Sequence, residues 1–319
     1  MLRTTIKMSM KKGLGILVFL MGLCSVLPAQ NKSKLSAEAI ARLDKAQDTL
    51  ALLAYAIVND SLPEHRFGTC RVFIPKLVEA LKTENSFDYP FERMKAVSIM
   101  YPPDSTFRIF TWQLYVDTAD YRYFGAIQMN TPELKLFPLV DRSFNLKADP
   151  EQAILTPEDW YGALYYNVRE VKGPNGKYYL LFGYDGFSFF DKRKLIDVLT
   201  FDEAGKPKFG APVFVQETKG GPPRTKNRII LEYSAESSIK LNYEETLDMI
   251  VFDHLIPMGG LYGQGASNFP DGSYEAYELK GGVWKYLEML PVTPMDDAPR
   301  PTPVLDTRQK DIFGKEKKQ

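Results

Sequence analysis

Gly173-Pro174-Asn175-Gly176-Lys177-Tyr178-Tyr179-Leu180-Leu181-Phe182-Gly183-Tyr184-Asp185 is the stretch on which the fold turns. Its first four residues supply the fixed and positive φ angles of a tight turn, and the run that follows has the aromatic and aliphatic character of a strand. The same pattern extends outward on both sides. Before it come 95–101, 106–116, 122–129, 134–140 and 162–172, broken by Pro-Pro, Asp-Thr-Ala-Asp and Asn-Thr-Pro. After it come 195–202, 211–217, 227–234, 238–243, 247–254, 273–279 and 283–289, with turns at Glu203-Ala204-Gly205-Lys206 and Gly281-Gly282. Ile239, Leu241 and Tyr243 alternate with Lys240 and Asn242, the mark of a strand with one wet face. About a dozen short strands with tight connections predict an antiparallel β-meander. A sandwich, an open barrel and a small propeller all satisfy it, although no repeat of propeller length is apparent.

Ahead of the strands the period is 3.6 rather than 2. Leu43, Leu50, Leu53 and Ile57 form one helical stripe between Ser36 and Val58, and Cys70, Phe73, Ile74, Leu77 and Leu81 form a second. Ser61-Leu62-Pro63-Glu64 has capping-box spacing, and Pro75 is expected to kink the second helix. The chain therefore divides into residues 1–29, a helical hairpin at 30–88, an antiparallel β domain at 89–290 and a Pro- and Lys-rich tail at 291–319.

Residues 1–29 read as a signal peptide. Arg3, Lys7, Lys11 and Lys12 precede the apolar run Gly13–Val26, and Ala29 offers a small residue for cleavage. The run is too short and too broken to span a bilayer, so no transmembrane span is expected after cleavage. Cys24 has Leu23 before it, where a lipoprotein signal wants a small residue. The whole chain has 40 basic and 40 acidic residues, and removal of 1–29 leaves 36 against 40. With no basic excess, the zero charge of the whole chain argues against nucleic acid as the main partner, and the mild acidity of the shortened chain weakly discourages adhesion of the chain as a whole to anionic surfaces. Cys70 is then the sole cysteine, so no intrachain disulfide supports the fold, and its expected role is a small buried hydrophobe. With 2 His and 2 Cys in the full chain, no metal site of the zinc type is expected, and no cofactor motif is present.

Candidate chemistry is sparse. His254 follows Asp253 at a strand end, before a loop containing Gly259, Gly260, Gly263 and Gly265, and no G-x-S-x-G elbow accompanies it. Asp185, Asp191, Asp253 and Asp271 fall at strand ends, where two carboxylates in one cleft serve glycoside cleavage. The plainer role of Asp185-Gly186 and Asp271-Gly272 is to accept turn N–H groups. Asp253, His254 and Asp185 are the catalytic candidates; Tyr184, Asp185, Tyr262, Tyr274 and Trp284 are the binding candidates. Aromatic residues make up 13% of the chain. Adjacent pairs such as Tyr165-Tyr166 and Tyr178-Tyr179 place one ring on each sheet face, and the outer ring is expected to lie away from the core. Such rings stack on sugars, peptides or a partner protein, or else pair across strands. Ile312 and Phe313 form an apolar kernel in the tail that suits docking on a partner.

Several blocks occur together: Tyr178-Tyr179-Leu180-Leu181-Phe182-Gly183-Tyr184-Asp185-Gly186, Lys194-Leu195-Ile196-Asp197-Val198-Leu199, Phe209-Gly210-Ala211-Pro212-Val213-Phe214, Met249-Ile250-Val251-Phe252-Asp253-His254-Leu255 and Phe269-Pro270-Asp271-Gly272-Ser273-Tyr274. Over roughly 160–290 this order of blocks resembles a group of exported proteins from Bacteroidota. The resemblance implies a double-membrane bacterium and a periplasmic, outer-membrane-associated or secreted location, and it implies no activity. The expected function is a non-enzymatic exported binding or scaffolding protein of the cell envelope. It would act on an envelope protein, with a polysaccharide as the second candidate partner. The alternative is an envelope hydrolase, glycan-directed, with Asp253 and His254 at a cleft mouth.

Overall fold

The computed structural model describes residues 35–117, 120–146, 149–174, 176–218, 220–259 and 265–290. The expected leader, Tyr262 with its glycine loop, and the tail with Ile312 and Phe313 lie outside the described residues. Helix α1 (Ala37–Asn59) starts at Ser36, whose hydroxyl accepts the Ala39 N–H at 3.1 Å. Helix α2 (Pro63–Leu81) starts differently from expectation. Leu62 takes the N-cap, its N–H goes to Asp60 Oδ1 at 3.0 Å, and the Ser61–Glu64 box does not form. Pro63 occupies the first helical turn, where a missing N–H costs nothing. The helix runs unbroken past Pro75.

Strands β1 (Ser98–Met100), β2 (Phe107–Asp117), β3 (Asp120–Met129) and β4 (Leu136–Val140) form a first sheet in chain order. Strands β5 (Leu164–Gly173), β6 (Gly176–Asp185), β7 (Asp191–Phe201) and β8 (Pro207–Phe209) build most of a second. The chain then leaves for β9 (Phe214–Gln216) and β10 (Arg224–Lys226) of a third sheet, and returns with β11 (Ile229–Ser234) to the edge of the second. Strands β12 (Leu241–Glu244), β13 (Met249–Gly259), β14 (Ala266–Lys280) and β15 (Val283–Leu287) complete the third. Neighbouring strands pair antiparallel, save that β15 lies parallel to β9 through Trp284–Phe214 and Lys285–Val215. Among the described residues no sheet closes into a barrel, which leaves the sandwich of the three architectures.

Three apolar seams join these elements. Leu43, Leu50, Ile57, Phe73 and Leu77 of the helices meet Phe110, Trp112 and Leu114 on one face of the first sheet. Phe107, Ile109, Ile127 and Leu139 on its other face meet Tyr179, Leu181, Leu195 and Leu199 of the second. Leu180, Phe182, Ile196 and Val198, on the opposite face of that second sheet, meet Leu241, Ile250, Phe252 and Trp284 of the third. The second sheet is thus the middle layer, covered on both faces. This corrects the expectation for Tyr178-Tyr179. The rings do point to opposite faces, but both are buried, at 5% and 2% exposure. Tyr165 is likewise buried, while Tyr166 stays 37% exposed with its hydroxyl donating to the Leu241 carbonyl at 2.6 Å. Gly183 sits where a Cβ would come within 3.1 Å of the Tyr165 ring and the Ala163 methyl, so any side chain there would press both back by a few tenths of an ångström.

Charge is buried in these seams as well. Asp197 interrupts the apolar run of β7 and is fully buried, as is Arg228, whose Nη2 lies 2.9 Å from Asp197 Oδ1. That approach is off the N–H line, so charge carries it, while Nη1 donates to the Pro150 carbonyl at 2.6 Å. Tyr165 donates its hydroxyl to Asp197 Oδ2 at 3.3 Å and accepts from Trp160 Nε1 at 2.9 Å. Arg108, equally buried, donates to the Ser86 and Tyr89 carbonyls, Tyr101 and Gln128, with the Phe110 ring 4.8 Å from its guanidinium carbon.

A fully buried Phe or Leu contributes roughly 1.5–3 kcal/mol over its exposed state. Phe182→Ala is expected to lower the unfolding free energy in urea by about 3–5 kcal/mol, through lost burial plus the cavity left behind. Asp197→Asn, which leaves Arg228 uncompensated, is expected to cost about 3–5 kcal/mol by the same measurement. A loss below ~1 kcal/mol for both would contradict a middle sheet dry on both faces.

Candidate functional site

The two helices do not cover the whole outer face of the first sheet. On β3 and β4, Phe124, Ala126, Leu136, Pro138 and Val140 face the helical side. Helix α2 borders them with Ile74, Leu77, Val78 and Leu81, and the gap is an apolar groove of about 330 Å³ floored by Trp112. Val140 and Ile74 stand at its rim, at 39% and 36% exposure. Arg122 and Asp141 are its charged lining groups, and the Asp141 carboxylate is engaged by the Tyr123 N–H at 3.1 Å and the Ser143 hydroxyl at 2.7 Å. Nothing in the sequence singles this groove out: the alternation at 136–140 places odd and even members on different layers, but it does not show that the helices leave the even ones uncovered. Beside Trp112, Cys70 is buried and free, and burial pushes its thiol pKa up, which disfavours the nucleophilic thiolate.

The residues singled out from sequence are scattered. Asp185 is buried, accepting the Tyr161 hydroxyl at 3.2 Å and the Phe187 N–H at 2.9 Å, the second being the turn bond of an Asx-turn. Burial raises its pKa, against the lowering effect of the Phe187 N–H and Arg193. Tyr184 beside it is half-buried, with its phenol pushed up to about 12 by burial. Asp191 accepts the Ser267 hydroxyl at 2.6 Å and ties β7 to β14. Asp253 is buried and accepts the Lys240 N–H across the strand pair. Tyr274, its Cα partner on β14, is half-buried under Lys240. Trp284 is 1% exposed and packs edge-on against Tyr243 at 6.2 Å, so its ring offers no stacking face.

His254 does not share a partner with Asp253. Its Nδ1 lies 2.8 Å from Asp271 Oδ2 across the β13–β14 pair, at the register shift between Asp253 and Leu255. Asp271 Oδ1 accepts both the N–H and the hydroxyl of Ser273, at 2.9 and 2.7 Å. The hydroxyl is therefore aimed at the carboxylate, and a Ser-His-Asp relay, which needs it on the imidazole, is not assembled. What the pair does offer is an exposed imidazole held in one orientation by a carboxylate. The hydrogen bond to Asp271 raises the His254 pKa, and the Ser273 and His254 bonds hold Asp271 at about 2. Among the described residues no cluster of His, Cys, Asp and Glu is disposed to hold a metal ion.

A raised histidine pKa favours the charged form in the folded state, so this pair supports folding below the unfolded histidine pKa. That support is lost as pH rises through the raised value. An NMR titration of His254 is expected to give a midpoint above 6.5, the ordinary value, and Asp271→Asn is expected to move it back toward that value. An unchanged midpoint in Asp271→Asn would dismiss the pair as an electrostatic unit.

Compared with protein-family models, curated proteins and solved structures, the chain matches none.

Proposed function

We propose that this is a non-enzymatic binding or scaffolding protein, exported to the periplasm or outer membrane of a bacterial envelope, which holds an envelope protein by an apolar segment in the groove beside α2. The groove is the observation that carries the reading. Its walls are aliphatic and aromatic, with Ile74 and Val140 still partly exposed at the rim. Apolar surface in a concave setting is what binding sites use, and filling it removes that surface from water at roughly 25 cal/mol per Å². Strand and helix both border it, so the occupant is an extended or helical segment bearing apolar side chains on one face. The aromatic sheet faces contribute less to this reading than the sequence suggested, because rings such as Tyr178, Tyr179 and Trp284 belong to the core.

The test places a photo-crosslinker at Val140 and, as a control, at Arg224 on β10, then extracts the chain gently from envelopes. The expected result is one stoichiometric adduct from the Val140 position only, lost when Ile74→Asp is added. The substitution sits at the rim, so the unfolding midpoint is expected to stay within a few degrees of wild type. Equal labelling from both positions, or a lone monomer, would rule the groove out.

His254 and Asp271 favour a second reading, an envelope hydrolase directed at glycans, with the carboxylate-oriented imidazole as acid or base. It requires release of reducing sugar from envelope polysaccharide, abolished in His254→Ala. Retained release in that variant would end it.

A further inference from the structure

We propose that the outer face of the α1–α2 pair docks on an anionic lipid surface, with the cation-lined cleft between the helices receiving the phosphate groups. The cleft measures about 380 Å³ and lies on the opposite side of α2 from the apolar groove. Arg42 and Lys45 of α1 line it together with Lys76 and Lys82 at the end of α2, and Glu79 is the one carboxylate among the lining residues. Among the described residues none of these four cations has an ion-pair partner. Some surface cations are paired, as Arg93 is with Asp44 and Asp48, Arg193 with Glu232 and Lys177 with Asp104, whereas the cleft gathers four cations around one carboxylate. Unpaired cations around a concavity, with Thr49 and Thr83 also lining it, are complementary to phosphate oxygens.

A second feature selects a membrane over a soluble anion. Lys45, Thr49 and Leu52 follow one another at four- and three-residue steps, so they share a stripe of α1, and Val72 and Lys76 share a stripe of α2. Leu52 is 74% exposed and Val72 47%, unusually open for large apolar side chains on helices whose other faces are packed; Tyr55, 65% exposed, follows on the neighbouring stripe with Asp44 and Asp48, whose carboxylates Arg93 neutralises. Gly68, close by on α2, has open space where a Cβ would stand. Apolar side chains level with lysines and arginines are the arrangement by which helices lie in a headgroup layer: the apolar groups enter the acyl boundary and the cations meet phosphate. The groove proposed for a protein partner opens on the other flank of α2, so the two surfaces stand or fall separately.

The experiment measures binding of the purified full chain to three targets. These are phosphatidylcholine vesicles, vesicles with about a third phosphatidylglycerol, and inorganic phosphate. Comparing variants within one chain cancels whatever residues 1–29 contribute. Partition to the anionic vesicles is expected to fall roughly tenfold or more in the double variant Lys45→Glu, Lys76→Glu, and to weaken steeply with salt. Leu52→Ser with Tyr55→Ser, both at exposed positions, is expected to lower it independently. Arg224→Glu with Lys208→Glu, the same double charge reversal placed away from the helices, is expected to leave it unaltered. Equal binding to both vesicle types, full binding by the Lys45/Lys76 variant, or saturation by inorganic phosphate without vesicle preference would each overturn the proposal. Circular dichroism of each variant confirms that a loss is not unfolding.

Discussion

A sheet without a wet face is the constraint to which the rest of this chain answers. Strands β6 and β7 carry consecutive buried residues, Leu180-Leu181-Phe182 and Leu195-Ile196-Asp197-Val198-Leu199, with no alternation left for solvent. Antiparallel sheets commonly keep one polar side. Here the middle sheet demands two apolar partners, and the first and third sheets exist in part to supply them. The first sheet then presents its own second face, and the helices are there to cover it. That covering stops at α2, which is why the groove lies where it does.

Stacking layers this deeply leaves nowhere for an isolated charge, so each buried one is matched locally. Asp197 and Arg228 neutralise one another in the seam between the first two sheets, with Tyr165 and Trp160 completing the acceptor. Arg108 solves the problem without a carboxylate, through carbonyl oxygens and the faces of Phe91 and Phe110. Such groups add little net stability compared with apolar replacements, and their consequence is geometric. Only one register of β2 brings Arg108 to the Ser86 and Tyr89 carbonyls. The exported chain that the sequence suggests would have a single cysteine, and pinning of this kind does the work that disulfides do in smaller secreted domains.

The strands, the helices and the antiparallel pairing were legible because each rests on a local period. Ile239, Leu241 and Tyr243 are buried as their alternation requires, and Lys240 is exposed. Misreadings arose where a distant segment decides the outcome. The two faces of Tyr178 and Tyr179 follow from the backbone alone, but that both are dry depends on β12 to β15, far along the chain. The Ser61 box yielded to Pro63 at the helix start and to the Asp60 side chain. The bond between His254 and Asp271 joins neighbouring strands across a register shift, which spacing cannot foresee. The groove and the cationic cleft arise from what the helices leave uncovered, and no pattern of residues encodes that.

The order of the layers also sets an order in time. Helices, first sheet and most of the middle sheet are contiguous in the chain, so synthesis from the N-terminus makes them available early. β11 is the exception, reaching back to the middle sheet only after β9 and β10 have been made. Arg228 immediately precedes it, so until that strand arrives Asp197 has no cation and its seam must stay open to water. Closure of the β11 edge and neutralisation of Asp197 are therefore coupled in the folded chain. A chain arrested before that residue would present an open strand edge beside an uncompensated carboxylate, a target for chaperones rather than a smaller folded protein.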